Sequence, residues 1–235
     1  MKSDNVENVN HVWYYTRMMN MKVRLILLVS IVLLFSGCTE DRDKANTIFD
    51  IEPEPEEYAV YSSLLEGNFN GDKRERDEII VISETTVPIS VTKYSGFGGV
   101  NSICLQEEGI GGFGKENISI HEIGRHTLAE FEKKNLYPST LNYQFGIKTK
   151  YLLFSKEEYI ELSQSPGYWT QFYTRYSNSC ERIAFSRVGF DRKRIKAIVY
   201  YEHQAAPLAG AGYFIFLLKV DGKWFVKKSI TLWIS

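Results

Sequence analysis

The last quarter of the chain constrains the fold most. From Glu181 to Ser235 it holds four apolar runs rich in β-branched and aromatic residues: "ERIAFSRVGF", "KAIVYYEHQ", "GYFIFLLKV" and "KWFVKKSITLWIS". Residues of this kind suit a pleated, half-buried surface, and short polar or glycine-bearing links bound each run. Asp221-Gly222, between the last two runs, is a strong two-residue hairpin signal. Asp191–Lys196 makes the first link, and "AAPLAGAG" is read as the middle loop. Four consecutive strands joined this way are expected to form an antiparallel meander.

Helical signals come before this block. "EPEEYAVYSSLLEG" carries Tyr58, Tyr61, Leu64 and Leu65 at helical spacing, with acids in the first turn and Gly67 as the stop. Thr127–Glu130 and Ser155–Glu158 have capping-box spacing, which predicts helices over 127–135 and 155–162. Trp169, Phe172, Tyr173 and Tyr176 follow the i, i+3, i+4, i+7 rule, so 168–176 is a third helix opened by Pro166-Gly167. "DEIIVISETT" and Lys148–Phe154 are predicted strands. Helices followed by consecutive strands give an α+β class. The expected architecture is a C-terminal antiparallel β-meander of about four strands with short helices packed on one face. By analogy of architecture alone this body is cystatin-like.

Near the start, Leu25–Phe35 is apolar but too short for a membrane-spanning helix, which needs about 20 residues. Lys22 and Arg24 precede it, and Phe35-Ser36-Gly37-Cys38 ends it, as in a secretory signal. The pattern resembles the lipobox of bacterial lipoproteins, with Phe35 where that family prefers Leu. The resemblance implies diacylglycerol on Cys38, cleavage before it, and a mature chain that begins there. An ordinary signal peptide with a chance cysteine is the competing reading. Met1–Asn20 does not fit a signal peptide, and Met21 is a natural alternative start. The chain thus divides into an extension and signal over 1–37, an acidic tether over 38–57 with Pro53 and Pro55, and one domain over 58–235. The resemblance places the protein outside the cytoplasm, held to a membrane by lipid. With Thr39 rather than Asp after the lipidated position, that is the outer membrane if the cell is Gram-negative.

A formal net charge of −1 gives no basic face for a nucleic acid. Cys104 and Cys180 form an even pair in an oxidising compartment. A disulfide, two thiols or one reactive thiol all remain open, because spacing does not set the Cα separation.

Three motifs raise chemistry. "GIGGFG" at Gly109–Gly114 has the letters of a dinucleotide loop, but no strand precedes it and no helix pattern follows. With "GFGG" at Gly96–Gly99 it is read as glycine-rich loop, and no cofactor is expected. "HEIGRH" brings His121 and His126 together at i and i+5, about 140° apart on a helix. A zinc-protease helix needs i and i+4, so no metal site is expected here. The remaining candidates are His203, Glu202 and Arg187. Arg187 lies mid-strand, where an inward charge needs a partner or an anion. Glu202 is positioned in sequence to orient His203 as a base. A surface salt bridge is the plainer reading of the same residues.

The segment from about Gly167 to Ser235, with "SRVGF" and the closing Trp-x-Ser, is similar to a group of bacterial secreted or lipid-anchored proteins of uncharacterised function. Members of that group carry cysteines in the loop where this chain has "QAAPLAGAG", and the resemblance implies no activity. The expectation is a lipid-anchored envelope protein that touches the membrane through Cys38 and acts as a binding module for a protein or small ligand. A hydrolase-like enzyme built on His203, and an inhibitor or immunity lipoprotein, are the alternatives.

Overall fold

The structure is a computed structural model and describes residues 51–67, 78–90, 105–106, 109–111 and 117–235. All of these fall within one unit, Phe49–Ser235. In chain order the elements are α1 (Pro55–Glu66), β1 (Ile80–Ser83), β2 (Leu105–Gln106), β3 (Gly109–Gly111), β4 (Asn117–Ser119), α2 (Ile120–Ile123) and α3 (Arg125–Lys134). They continue as β5 (Tyr151–Phe154), α4 (Lys156–Ser163), α5 (Tyr168–Arg175), β6 (Arg182–Phe185), β7 (Gly189–Phe190), β8 (Lys196–Ala206), β9 (Ala209–Val220) and β10 (Lys223–Ile234).

The fold is α+β with a C-terminal antiparallel sheet. The main sheet runs β10-β9-β8-β6-β1-β5, with β7 also paired to β8. The pairings β10–β9, β9–β8 and β8–β6 are antiparallel. Beyond them β1 lies parallel to both β6 and β5, so the meander is the larger part of a mixed sheet. The tight turn at Asp221-Gly222 has positive φ at both residues, 49° and 77°, which matches the twist of the flanking strands.

Helices cover both faces of this sheet, because its inner strands are apolar on both sides. On one face α1 sets Tyr58, Tyr61, Leu64 and Leu65 against Ile82, Phe185, Val199, Ile215 and Leu217. On the other, Ile123, Leu128 and Phe131 of α2 and α3 meet Ile198, Tyr200, Phe214, Phe216 and Ile230. At the β5 side Leu162 of α4, Phe172 of α5 and Tyr176 just after it pack on Val81 and Phe154. The aromatic stripe of 168–176 is therefore core packing in the main, with Phe172 fully buried.

Three local expectations change. Glu56 and Glu57 belong to α1, and Glu57 is fully buried, so the folded body begins before residue 58. The predicted "AAPLAGAG" loop is mostly strand: β8 runs to Ala206, β9 starts at Ala209, and only Pro207-Leu208 turns. Small residues are needed there, since a Cβ on Gly212 would overlap the Trp233 indole and the Tyr200 hydroxyl. Finally, Thr127 does not cap its helix. α3 starts at Arg125 after Gly124 (φ 91°), and the Thr127 hydroxyl donates back to the Ile123 carbonyl at 2.8 Å. Glu130 instead accepts the Phe190 N–H at 2.6 Å.

Candidate functional site

The candidates Arg187, Glu202 and His203 are not brought together. "ERIAFSRVGF" is two strands, not one. Phe185 pairs with Tyr201 and Gly189 with Ile198, so Ser186–Val188 form a bulge against β8. The bulge turns Arg187 inward, where it is 3% exposed. Its Nε donates to Glu57 Oε2 at 2.9 Å and its Nη2 to Glu57 Oε1 at 2.7 Å, a bidentate pair. Nη1 donates to the Ile51 carbonyl and to Ser139 Oγ, both at 3.0 Å. Asn135 accepts the Arg187 N–H at 2.8 Å and donates to its carbonyl at 3.0 Å.

Glu57 is as fully engaged. It also accepts the Val188 N–H at 2.8 Å and pairs with Lys134 Nζ at 3.3 Å. Burial alone would raise its pKa, but the Arg187 hydrogen bond, the Lys134 and Arg187 charges and the Val188 N–H together hold it below the ordinary carboxylate range. Arg187 is thus matched by its own chain and is not an anion site.

Glu202 and His203 point to opposite faces of β8, as alternation requires. On one face Glu202 accepts the Tyr200 hydroxyl at 2.7 Å and stands 3.6 Å from Arg182 Nη2. Trp233 Nε1 donates to the same Tyr200 hydroxyl at 2.8 Å. On the other face His203 Nδ1 lies 2.9 Å from Glu181 Oε2, and its ring is parallel to that of Tyr213 at 6.1 Å. Glu181, which the sequence reading passed over, is the residue that orients His203. Burial, then the Glu181 charge, pushes the Tyr213 hydroxyl pKa up. Cys180, beside Glu181, is exposed. Cys104, the other half of the even pair, lies outside the described residues, as do Cys38 and Gly96–Gly99.

The two motif regions resolve differently. Gly109–Gly111 pairs with β2 and β4 as a strand, the wrong context for a phosphate loop, and the rest of "GIGGFG" lies outside the described residues. "HEIGRH" is split by Gly124 into two helices. His126 Nδ1 meets the Phe190 carbonyl at 3.2 Å, while His121 is exposed. Among the described residues no group of three or more His, Cys, Asp or Glu side chains is placed to hold a metal.

A feature that no motif announced is a cleft of about 670 Å³ between α1, the Gln144–Gly146 segment and the β9–β10 turn. Tyr58, Ser62, Glu66, Gln144, Lys223 and Trp224 line it. Its walls are fixed by hydrogen bonds: Ser62 Oγ accepts the Gly146 N–H at 2.9 Å, and Trp224 Nε1 donates to Glu56 at 2.7 Å. The only sequence signal for it was the break at Gly67, where α1 ends. No protein-family model, no curated protein and no solved structure matches this chain.

Proposed function

We propose that this chain is a lipid-anchored cell-envelope protein whose folded body is a binding module, with its ligand held in the cleft beside α1. The cleft carries this reading. Its volume suits a small ligand or a peptide segment. Aromatic rings, a carboxylate, an amide and an ammonium converge on it, and among the described residues no histidine or cysteine lines it. Such walls recognise and orient a ligand, and the Ser62 and Ser63 hydroxyls there donate to the Tyr58 and Val60 carbonyls and not to a base. Anchoring is supported by the residue pattern from Leu25 to Cys38.

Two measurements test it. The intact mass of protein extracted from native membranes should show an acylated chain beginning at Cys38, and a full-length unacylated mass would sink the anchor. Titration calorimetry with solubilised cell-wall fragments and envelope-derived peptides should give saturable heat. Ala59→Arg, at an exposed position on the cleft wall, should weaken that binding at least about tenfold, roughly what one lost well-placed contact costs.

The His203–Glu181 pair favours a second reading, an envelope hydrolase in which Glu181 orients the imidazole as a base. Turnover of ester or amide substrates that disappears in His203→Ala would favour that reading over the cleft. Binding heat that persists in His203→Ala, with no turnover, would reject it.

A further inference from the structure

We propose that the β7–β8 turn is the membrane-facing tip of the folded body and docks on anionic lipid headgroups; this rests on the lipid-anchored reading. Thirteen residue steps separate Cys38 from Ile51. They reach at most about 45 Å. A body of this length has a radius of gyration of about 16 Å, so it is roughly 40 Å across. Even at full stretch the leash is about as long as the body is wide, so the end where it attaches is the one nearest the bilayer.

That end is the β7–β8 turn. Arg187 Nη1 holds the Ile51 carbonyl at 3.0 Å. Glu54 pairs with Arg194 in the turn itself. Glu56 pairs with Lys219 at 2.7 Å, and the Lys219 N–H donates to the Ile195 carbonyl at 2.9 Å. Of the nearby carboxylates, Glu54 and Glu56 are paired with cations, Asp191 Oδ1 accepts the Ile195 and Lys196 N–H groups at 2.7 and 2.9 Å, and Glu52 and Asp221 are exposed at the margin. Arg192 and Lys193 are exposed, and no ion pair holds either of them among the described residues. Beside them Ile51, Ile195 and Val220 are exposed. Exposed cations without an ion pair, flanked by aliphatic side chains, suit an anionic headgroup layer, where each cation near the surface multiplies binding about fivefold. The competing occupant is the acidic leash, with Glu40, Asp41, Asp43 and Asp50.

The test uses the native lipidated protein on two vesicle types: phosphatidylcholine alone, and phosphatidylcholine with phosphatidylglycerol as minor component. Flotation reports the anchor. Trypsin cleavage after Arg192, Lys193 and Arg194 reports the tip. The expected result is flotation on both vesicles, with cleavage slowed about tenfold or more on the anionic ones, and the difference lost in molar salt. Equal cleavage on both vesicles, as when the acidic leash covers the turn, overturns the proposal. In Arg192→Gln/Lys193→Gln, cleavage after Arg194 should lose its protection while flotation stays unchanged; retained protection overturns the proposal too. Failure to float on neutral vesicles defeats the anchor instead, and the tip then stands or falls on whether anionic vesicles alone still protect it.

Discussion

Arg187→Ala is expected to lower the unfolding free energy by about 3–5 kcal/mol, the usual cost of stranding one partner of a buried ion pair. The size follows from the surroundings. Glu57 is fully buried and would keep only Lys134 as a counter-charge. Asn135 would keep its two backbone bonds to residue 187, so the bulge itself should persist. Denaturant unfolding of the single variants and of the double variant Glu57→Gln/Arg187→Met separates charge from packing. The double variant strands no charge, since Lys134 retains Glu54 and Glu130 at 3.4 and 3.2 Å. It should recover more than half of the loss. The loss should also depend on pH. Glu57 titrates below its ordinary range when folded, so its contribution is full above the unfolded value of about 4.3. It fades as pH falls through the lower folded value. The gap between the wild type and Arg187→Ala should therefore narrow on acidification across that window. A gap that is constant with pH would show that the pair adds shape and not charge.

The second large effect is expected at Gly189. A Cβ there would stand 2.5 Å from Phe131 Cβ, 2.6 Å from the Thr127 carbonyl and 2.7 Å from the Phe131 N–H nitrogen. Two of these three atoms are backbone, so α3 has to lift off β7 as a body. Gly189→Ala should cost about 3 kcal/mol, at the upper end of overpacking penalties. For a domain of this size that is a fall in melting temperature of about 6–12 °C. A fall of less than a degree or two would mean that α3 is free to shift. Gly222→Ala is the contrast: nothing lies within 4 Å of its Cβ, so only the strained φ of 77° opposes it.

What was legible in the sequence was what local chemistry decides. Ser155 caps α4 as its spacing predicts, its hydroxyl accepting the Glu158 N–H at 3.1 Å. Asp221-Gly222 makes the hairpin, and Pro166-Gly167 opens α5. What was hidden depends on partners far along the chain. The bulge at Ser186–Val188 is held by Asn135 and carries Arg187 to Glu57, 52 and 130 residues away. The parallel partners of β1 lie on both sides of it, in β5 and β6. Thr127 and Glu130 have the right letters for a capping box, but the Thr127 hydroxyl bonds back to Ile123 four residues earlier and the distant Phe190 N–H claims Glu130. One miss was avoidable. Glu202 and His203 are neighbours in a strand, and alternation alone sends them to opposite faces. Glu181 sits across the β6–β8 pairing, which sequence spacing does not reveal.

The hold on Ile51 has a mechanical side. A pull on the chain end at Ile51 is delivered to the Arg187 guanidinium, and through it to Glu57 and the bulge of the central sheet. Glu54–Arg194 and Glu56–Lys219 share the load one turn further on. A pull at Ile51 therefore loads the buried Arg187–Glu57 pair before the rest of α1.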